Sequence, residues 1–212
     1  MISDKLGRAV APPFEGLVRV CAHIHPDVLT ICGLLLNGVA CALFALSGDV
    51  RNGTLPGLLR LGGLVVVLAN VFDVLDGQVA RLRGRETTFG AFLDSTMDRY
   101  SDMLLYMGLL ILYARLDNTP HMVLVWVAAF GSFMTSYARA RAESLIPSCK
   151  VGFLERPERI VLIVVGAVLN RMVAVLWVIA VLSNLAAVQR VVYTLIELKR
   201  ERPHGGTVPE GQ

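Results

Sequence analysis

Four aspartates interrupt an otherwise apolar stretch of the chain, and their spacing places them in two pairs. Asp73 and Asp76 are three residues apart, and Asp94 and Asp98 are four residues apart. Each pair therefore projects from one side of its own helix. Because a carboxylate inside a membrane helix is costly, aspartates at such positions indicate a functional site.

Carboxylates gathered in this way require cations, because negative charges brought together repel one another. Mg²⁺ prefers oxygen ligands and often binds where substrate phosphates complete its coordination shell. Mn²⁺ accepts ligands of the same kind. The four aspartates therefore predict a site for divalent cations, and four acids are enough to hold two Mg²⁺ ions.

Small residues accompany the acids at helical spacing. Gly77 and Ala80 leave room beside the first pair for a ligand or a second helix, and Gly90 does the same on the facing helix. Arg81 lies one turn past Gly77, where it would contact a phosphate or pair with an acid. The short polar segment 83–88 predicts that the two helices are antiparallel neighbours.

The composition indicates that lipid surrounds the elements that carry these residues. The chain has 212 residues, of which 55% are hydrophobic and only 17% are charged, and its mean hydropathy is +0.61. A soluble domain has about 25% charged residues. The formal net charge of +3 is too small to indicate nucleic-acid binding, and no nucleic-acid partner is expected.

Apolar runs predict an all-α integral membrane protein with six transmembrane helices in one catalytic domain, residues 27–199. The predicted helices span residues 27–47, 54–82, 90–115, 121–144, 156–170 and 172–199. Most Lys and Arg residues then fall on one side, which places both termini in the cytoplasm and the acids at the cytoplasmic face of the cell (inner) membrane.

Two flanking segments differ from this apolar domain. Residues 1–26 combine apolar positions at helical spacing with charged residues between them, which predicts an amphipathic helix lying along the inner interface. Residues 200–212 include a Gly- and Pro-rich stretch, and we expect a disordered cytoplasmic tail.

The aspartate region resembles the signature of the CDP-alcohol phosphotransferase (CDP-alcohol phosphatidyltransferase, class I) family. The eight signature positions are matched without a departure by Asp73, Asp76, Gly77, Ala80, Arg81, Gly90, Asp94 and Asp98. Eight fixed residues over so short a stretch make a specific motif. The family's chain length and six-helix layout also match this chain.

The resemblance implies a reaction and a set of donor-site residues. Members transfer a phosphatidyl-type group from a CDP-linked lipid to an alcohol and release CMP. By the resemblance, Asp73, Asp76 and Asp94 are metal ligands, and Asp98 is both a ligand and the general base. The expected donor nucleotide site consists of Pro26, Thr30, Asp73, Gly77, Ala80, Arg81, Thr87 and Asp94.

A second set of residues bears on the acceptor alcohol. Arginines near a membrane boundary suit a phosphate on a polar substrate. The segments 136–143, 152–159 and 189–190 resemble those of phosphatidylinositol-phosphate synthases, which implies CDP-diacylglycerol as donor, inositol phosphate as acceptor and a homodimer. The expected acceptor-phosphate residues are Ser136, Arg139, Arg159 and Arg190.

Three alternatives stay open at this point. Arg139 stands where the resemblance leads us to expect Lys, which leaves glycerol 3-phosphate or another polar alcohol as the acceptor. A structural ion-pair network with Arg81 and Arg99 would also explain buried aspartates. A small cation transporter would use the same acids, but it would need a polar path across the membrane, and the acids cluster at one end.

Overall fold

The structure is a computed structural model that describes residues 16, 18, 20–21, 23–49, 53–84 and 87–201. Most of the predicted interfacial segment and the end of the predicted tail, residues 202–212, lie outside the described residues. These two predictions therefore stay predictions.

Six helices have both ends within the described part of the chain. They are α1 (Pro26–Leu46), α2 (Pro56–Leu82), α3 (Thr88–Arg115), α4 (Thr119–Ala142), α5 (Arg156–Val168) and α6 (Met172–Glu201). Proline occupies one of the first two positions of α1, α2, α4 and α5, where its missing N–H costs nothing because the first turn has no partner for it. The all-helical prediction is confirmed, and each helix bound lies close to the predicted one.

Two local features were not predicted. A short antiparallel hairpin, β1 (Gly48–Asp49) with β2 (Gly53–Thr54), connects α1 to α2. Between α5 and α6 the chain turns within residues 169–171, whereas the predicted helices were separated by residue 171 alone. Asn170 adopts φ 53° there, a left-handed conformation that asparagine accepts more readily than most residues.

Four of the six helices are long and apolar enough to cross a membrane, namely α1, α2, α4 and α6. The other two fall short for different reasons. Helix α3 carries Asp94, Asp98 and Asp102 within its first 15 residues. Helix α5 has 13 residues, which at about 1.5 Å per residue is less than the thickness of the hydrocarbon layer.

The chain divides into two compact units, residues up to Asp117 and residues from Asn118. In the first unit α1 packs along both α2 and α3. Glycines allow these contacts, because a Cβ atom on Gly108 would lie 2.5 Å from the Cys41 carbonyl oxygen and a Cβ atom on Gly33 would lie 3.3 Å from that of Ala69. Near the start of α1, Val18, Leu29, Leu75 and Val79 form a buried apolar cluster.

In the second unit α4 packs along α6, and α5 packs on α6. Polar side chains join α4 to α6. The Thr135 hydroxyl lies 2.7 Å from the carbonyl oxygens of both Gly131 and Ser183, and the Asn184 amide donates to Val127 and Ala180. Hydrogen bonds of this kind hold helices together where no hydrophobic effect does so.

The Gly108 contact predicts a test of the α1–α3 packing. In Gly108→Ala the new methyl group meets backbone atoms of Cys41, which cannot rotate away. Overpacking of this kind costs about 2 kcal/mol. We therefore expect the thermal unfolding midpoint in detergent to fall by about 6 °C.

Gly38→Ala on α1 is the matched control, because no atom of the described residues lies within 4 Å of the added methyl group. Its midpoint should stay the same or rise, since alanine favours a helix by up to about 1 kcal/mol over glycine. Equal midpoints for the two variants would contradict the packing described.

Candidate functional site

Three of the four predicted aspartates come together in the first unit. Carboxylate oxygens of Asp73, Asp94 and Asp98 all lie within 4.8 Å of one another. Asp73 comes from the second half of α2, whereas Asp94 and Asp98 come from the first half of α3. Asp94 is exposed, and the other two are half-buried. The prediction that acids of two helices converge is therefore confirmed for these three.

Asp76 lies beside this group but is held differently. Its side chain is buried, at 5% exposure, and the Thr30 hydroxyl donates to Asp76 Oδ2 at 2.5 Å. Thr30 Oγ1 also lies 3.2 Å from the carbonyl oxygen of Pro26, the first residue of α1. Three residues predicted to contact the donor or the metals thus join the start of α1 to the acidic end of α2.

The relation between α2 and α3 differs from the predicted one in part. Helix α2 runs antiparallel to α1, since Thr30 contacts Asp76 and Gly62 contacts Phe44. Helix α3 runs parallel to α1. Helices α2 and α3 are therefore antiparallel, as predicted. They do not pack on one another as they do on α1, and the acids face each other with α1 as the shared support.

The small residues leave space beside the acids. Among the described residues, a Cβ atom on Gly77 would come within 4 Å of only the Arg81 guanidinium, at 3.4 Å. This open surface fits room for a ligand better than contact with a second helix. Arg81 is exposed, and its Nε donates to the Gly77 carbonyl at 3.1 Å. Ala80 is half-buried on the same turn.

Thr87 has a local role at the start of α3. It is the N-cap of the helix, and its hydroxyl accepts a hydrogen bond from the Gly90 N–H at 2.9 Å. A threonine here stabilises the first turn of the helix that carries Asp94 and Asp98. Gly90 is close to this cap, because a Cβ atom on it would lie 3.0 Å from Thr87 Oγ1.

The acidic group fits a divalent cation. The atoms that would contact the cation are carboxylate oxygens, which are the ligands that hard cations such as Mg²⁺ and Mn²⁺ prefer. Arg99 is a weak substitute for a cation, because its Nη1 lies 3.6 Å from Asp98 Oδ2, longer than a charge-assisted hydrogen bond of about 2.8 Å. A structural ion pair with Arg99 therefore accounts poorly for the three converging acids.

Beyond this site the interior of the first unit becomes apolar. Asn37, Ser101 and Asp102 are buried polar residues further along α1 and α3. Past them, the buried side chains toward the hairpin end of the unit are almost all apolar or aromatic: Ala40, Cys41, Phe44, Leu59, Val66, Leu105, Tyr106, Leu109, Leu112 and Tyr113. Asp73, Asp76, Asp94 and Asp98 thus lie at one end of the unit, away from this apolar interior.

The four predicted acceptor residues lie together in the second unit. Arg159, on the first turns of α5, is 2% exposed. Its Nη2 lies 3.4 Å from the Ser136 hydroxyl on α4, and its Nη1 donates to the Leu154 carbonyl at 3.0 Å.

Arg190, on α6, is likewise buried, at 3% exposure. Its Nε donates to the Val151 carbonyl at 2.9 Å, and its Nη1 donates to the Thr135 carbonyl at 2.5 Å. The guanidinium also lies within electrostatic range of Arg139 and Arg159. Three positive charges from three helices are therefore concentrated in one place, which favours an anion.

Arg139, at the end of α4, is held by two acids. Its Nε donates to Glu143 at 3.0 Å, and its Nη1 donates to Glu155 at 3.3 Å. Glu155 is the N-cap of α5 and forms a capping box with Glu158. Lysine, with one ammonium group, does not present the fixed fork of donors that lets arginine hold two partners at once.

The sequence does not predict some contacts of this arginine cluster. Glu155 lies in the segment 152–159 that carries the resemblance, but its pairing with Arg139 was not expected. The carbonyls of Val151, Leu154 and Thr135 are backbone groups, which no side-chain motif reveals. The one sequence signal was Gly152, because glycine marks a backbone conformation that other residues avoid.

Comparisons with known proteins identify relatives of this chain. The family model of CDP-alcohol phosphatidyltransferase matches residues 23–196. The archaetidylinositol phosphate synthase of Methanothermobacter thermautotrophicus is 37% identical over 179 residues, which cover 82% of this chain and 84% of that protein.

Solved structures of the phosphatidylinositol phosphate synthase of Mycobacterium tuberculosis are similar as well. The complex with CDP-DAG is 33% identical with a TM-score of 0.72, covering 86% of this chain and 92% of that one. The complex with manganese and citrate is 34% identical with a TM-score of 0.74, covering 87% of this chain and 88% of that one.

The acidic group predicts a measurable metal affinity. Asp94→Asn removes a negative charge and one hard oxygen ligand from the group, so Mn²⁺ binding followed by electron paramagnetic resonance should weaken at least tenfold, roughly the loss seen when even outer-shell partners are removed.

Asp117→Asn is the control for this change. Asp117 is exposed and adopts φ 51°, which asparagine accepts readily, so Mn²⁺ affinity should not change. A normal affinity in Asp94→Asn would show that the cation binds elsewhere.

Proposed function

The chain belongs to the CDP-alcohol phosphatidyltransferase family, and on this premise we propose that it transfers the phosphatidyl group of CDP-diacylglycerol to a hydroxyl of inositol phosphate and releases CMP. It is a multi-pass membrane enzyme, in keeping with its four long apolar helices. The observation that carries the proposal is the presence of both charge clusters: carboxylates that need cations, and arginines that need an anion.

The acidic group supports the donor half of the reaction. Asp73, Asp76, Asp94 and Asp98 would hold two Mg²⁺ ions, which when bound supply positive charge against the pyrophosphate of the donor. Thr30 keeps the buried Asp76 carboxylate oriented through its hydrogen bond. The open surface over Gly77 and Ala80, with Arg81 beside it, would receive the cytidine nucleotide together with Pro26 and Thr87.

Asp98 would act as the general base. A carboxylate has two oxygens, so one side chain can serve a cation with one oxygen and a proton with the other. Asp98 accepts the proton of the acceptor hydroxyl, whose oxygen forms a bond to the lipid-side phosphorus. The bond from that phosphorus to the bridging oxygen breaks, and CMP leaves with the electron pair. Positioning and charge stabilisation supply most of the acceleration in reactions of this type.

The arginine cluster supports an acceptor that carries its own phosphate. Arg159 and Arg190 are buried and near one another, and Arg139 and Ser136 line the same cluster. Planar guanidinium groups suit a phosphate because they donate paired hydrogen bonds. The relatives named above as inositol phosphate lipid synthases favour inositol phosphate over glycerol 3-phosphate.

The rest of the arrangement follows from this reaction. We place six transmembrane helices in the inner membrane. Four of them are the long apolar helices, and α3 and α5 are the other two. Both termini would lie in the cytoplasm. The active site would face the cytoplasm, where CDP-linked donors are available. A homodimer is proposed from the family resemblance.

Cation transport is supported less well. A transporter needs polar groups along its path, whereas the described interior of the first unit is almost entirely apolar beyond Asn37 and Asp102. Uptake of Mn²⁺ into vesicles containing the protein, without any release of CMP, would favour transport instead.

The proposal predicts donor- and acceptor-dependent chemistry. Purified protein with CDP-diacylglycerol, Mg²⁺ and inositol phosphate should release CMP and form a phosphorylated inositol lipid, and omission of Mg²⁺ should abolish release. Release with glycerol 3-phosphate alone would correct the acceptor and keep the family reaction. If no CMP is released with any alcohol, the proposal that the protein is a phosphatidyltransferase is wrong.

Asp98→Asn should separate chemistry from donor binding. Its amide cannot accept the proton of the acceptor hydroxyl, so turnover should fall by at least a hundredfold, the contribution typical of a general base. Binding of CDP-diacylglycerol, measured by equilibrium titration, should be largely kept. Asp117→Asn serves again as the control, and substantial turnover in Asp98→Asn would exclude Asp98 as the base.

A further inference from the structure

The loop Val151–Glu155 contacts all three clustered arginines, each through a different oxygen. The Val151 carbonyl accepts from Arg190 Nε at 2.9 Å, and the Leu154 carbonyl accepts from Arg159 Nη1 at 3.0 Å. The Glu155 carboxylate accepts from Arg139 Nη1 at 3.3 Å. These arginines belong to α6, α5 and α4, so a single five-residue loop contacts arginines of three helices.

Two residues hold the loop in an unusual backbone conformation. Gly152 has φ 99° and Leu154 has φ 64°. A left-handed leucine is uncommon and costs free energy, and such conformations persist only where the surroundings enforce them. In this conformation the carbonyl groups of Val151 and Leu154, three residues apart, accept from two different guanidinium groups.

Gly152 is also required by space. A Cβ atom on it would lie 3.3 Å from Arg190 Nε and 3.5 Å from the Ala186 Cβ. The first distance is shorter than an ordinary contact, so the loop can approach Arg190 closely only without a side chain. Gly152 therefore lets the Val151 carbonyl reach its arginine.

Three like charges repel one another, so their positions depend on the acceptors that surround them. The loop takes up one donor of each guanidinium, and Glu143, Ser136 and the Thr135 carbonyl accept from one further donor of each. A guanidinium group that is already held in place loses little conformational entropy when an anion binds, and this raises the affinity for the anion.

We infer that the loop Val151–Glu155 is the element that positions Arg139, Arg159 and Arg190 for the phosphate of the acceptor, and that Gly152 and Leu154 set acceptor affinity without contacting the substrate. This inference rests on the proposed function, because it assigns the arginines to the acceptor. It makes Gly152 and Leu154 positioning residues rather than catalytic ones.

Gly152→Ala tests the close approach to Arg190. The full-length enzyme in detergent, with Mg²⁺ and CDP-diacylglycerol, should show a KM for inositol phosphate raised about tenfold, as expected when a hydrogen bond to a charged group is misaligned. The KM for CDP-diacylglycerol should stay within twofold of the wild-type value. Gly53→Ala is the matched control, because it places alanine at φ 71° with no described residue within 4 Å, and both KM values should stay within twofold.

Leu154 supplies a second pair of variants in which backbone conformation and packing have opposite effects. Asparagine accepts the left-handed conformation but loses the apolar contacts of the buried side chain, whereas valine keeps an apolar side chain but resists the conformation. If the loop positions the arginines, Leu154→Val raises the KM for inositol phosphate more than Leu154→Asn does. If Leu154 serves only packing, Leu154→Asn has the larger effect, which would overturn the inference.

The outcomes separate this inference from the proposed function. Wild-type protein that does not use inositol phosphate refutes the proposed acceptor, and the variants are then compared with the alcohol phosphate that it does use. Normal acceptor KM values in both Gly152→Ala and Leu154→Val, with donor binding intact, would refute the role of the loop. Should Gly152→Ala fail to fold, the order of the two Leu154 variants decides.

Discussion

The structure depends on the concentration of like charge in an otherwise apolar chain. Asp73, Asp94 and Asp98 bring their carboxylates within 4.8 Å of one another, and in the other unit Arg190 lies within electrostatic range of Arg139 and Arg159. Neither cluster is stable without opposite charge nearby. In the proposed reaction, cations supply opposite charge to the first cluster and the phosphate of the acceptor supplies it to the second.

The helices exist in part to hold these clusters. Helix α1 packs against both helices that carry the aspartates, and its Thr30 donates a hydrogen bond to Asp76. In the second unit polar contacts between α4 and α6 place Thr135 and Arg190 in register. Glycines at the helix crossings, such as Gly108 and Gly131, permit this closeness because a side chain there would meet the neighbouring helix.

The sequence predicted much of this arrangement, for physical reasons that apply to particular residues. Helix bounds were predictable because proline begins several helices and apolar runs fill them. The convergence of Asp73 with Asp94 and Asp98 was predictable because helical spacing fixes which side chains share a face. The distinct environment of Asp76 was not, because it depends on a hydroxyl 46 residues away. The partners of Arg159 and Arg190 were hidden for another reason: they are backbone carbonyls, placed by the conformations of Gly152 and Leu154.

The most direct measurement is anomalous diffraction from crystals of the protein grown with Mn²⁺. If the clustered acids exist to bind cations for the transfer reaction, the anomalous difference map shows a peak between Asp73, Asp94 and Asp98. A well-ordered acidic group without a peak, at Mn²⁺ concentrations that support turnover, would contradict the account.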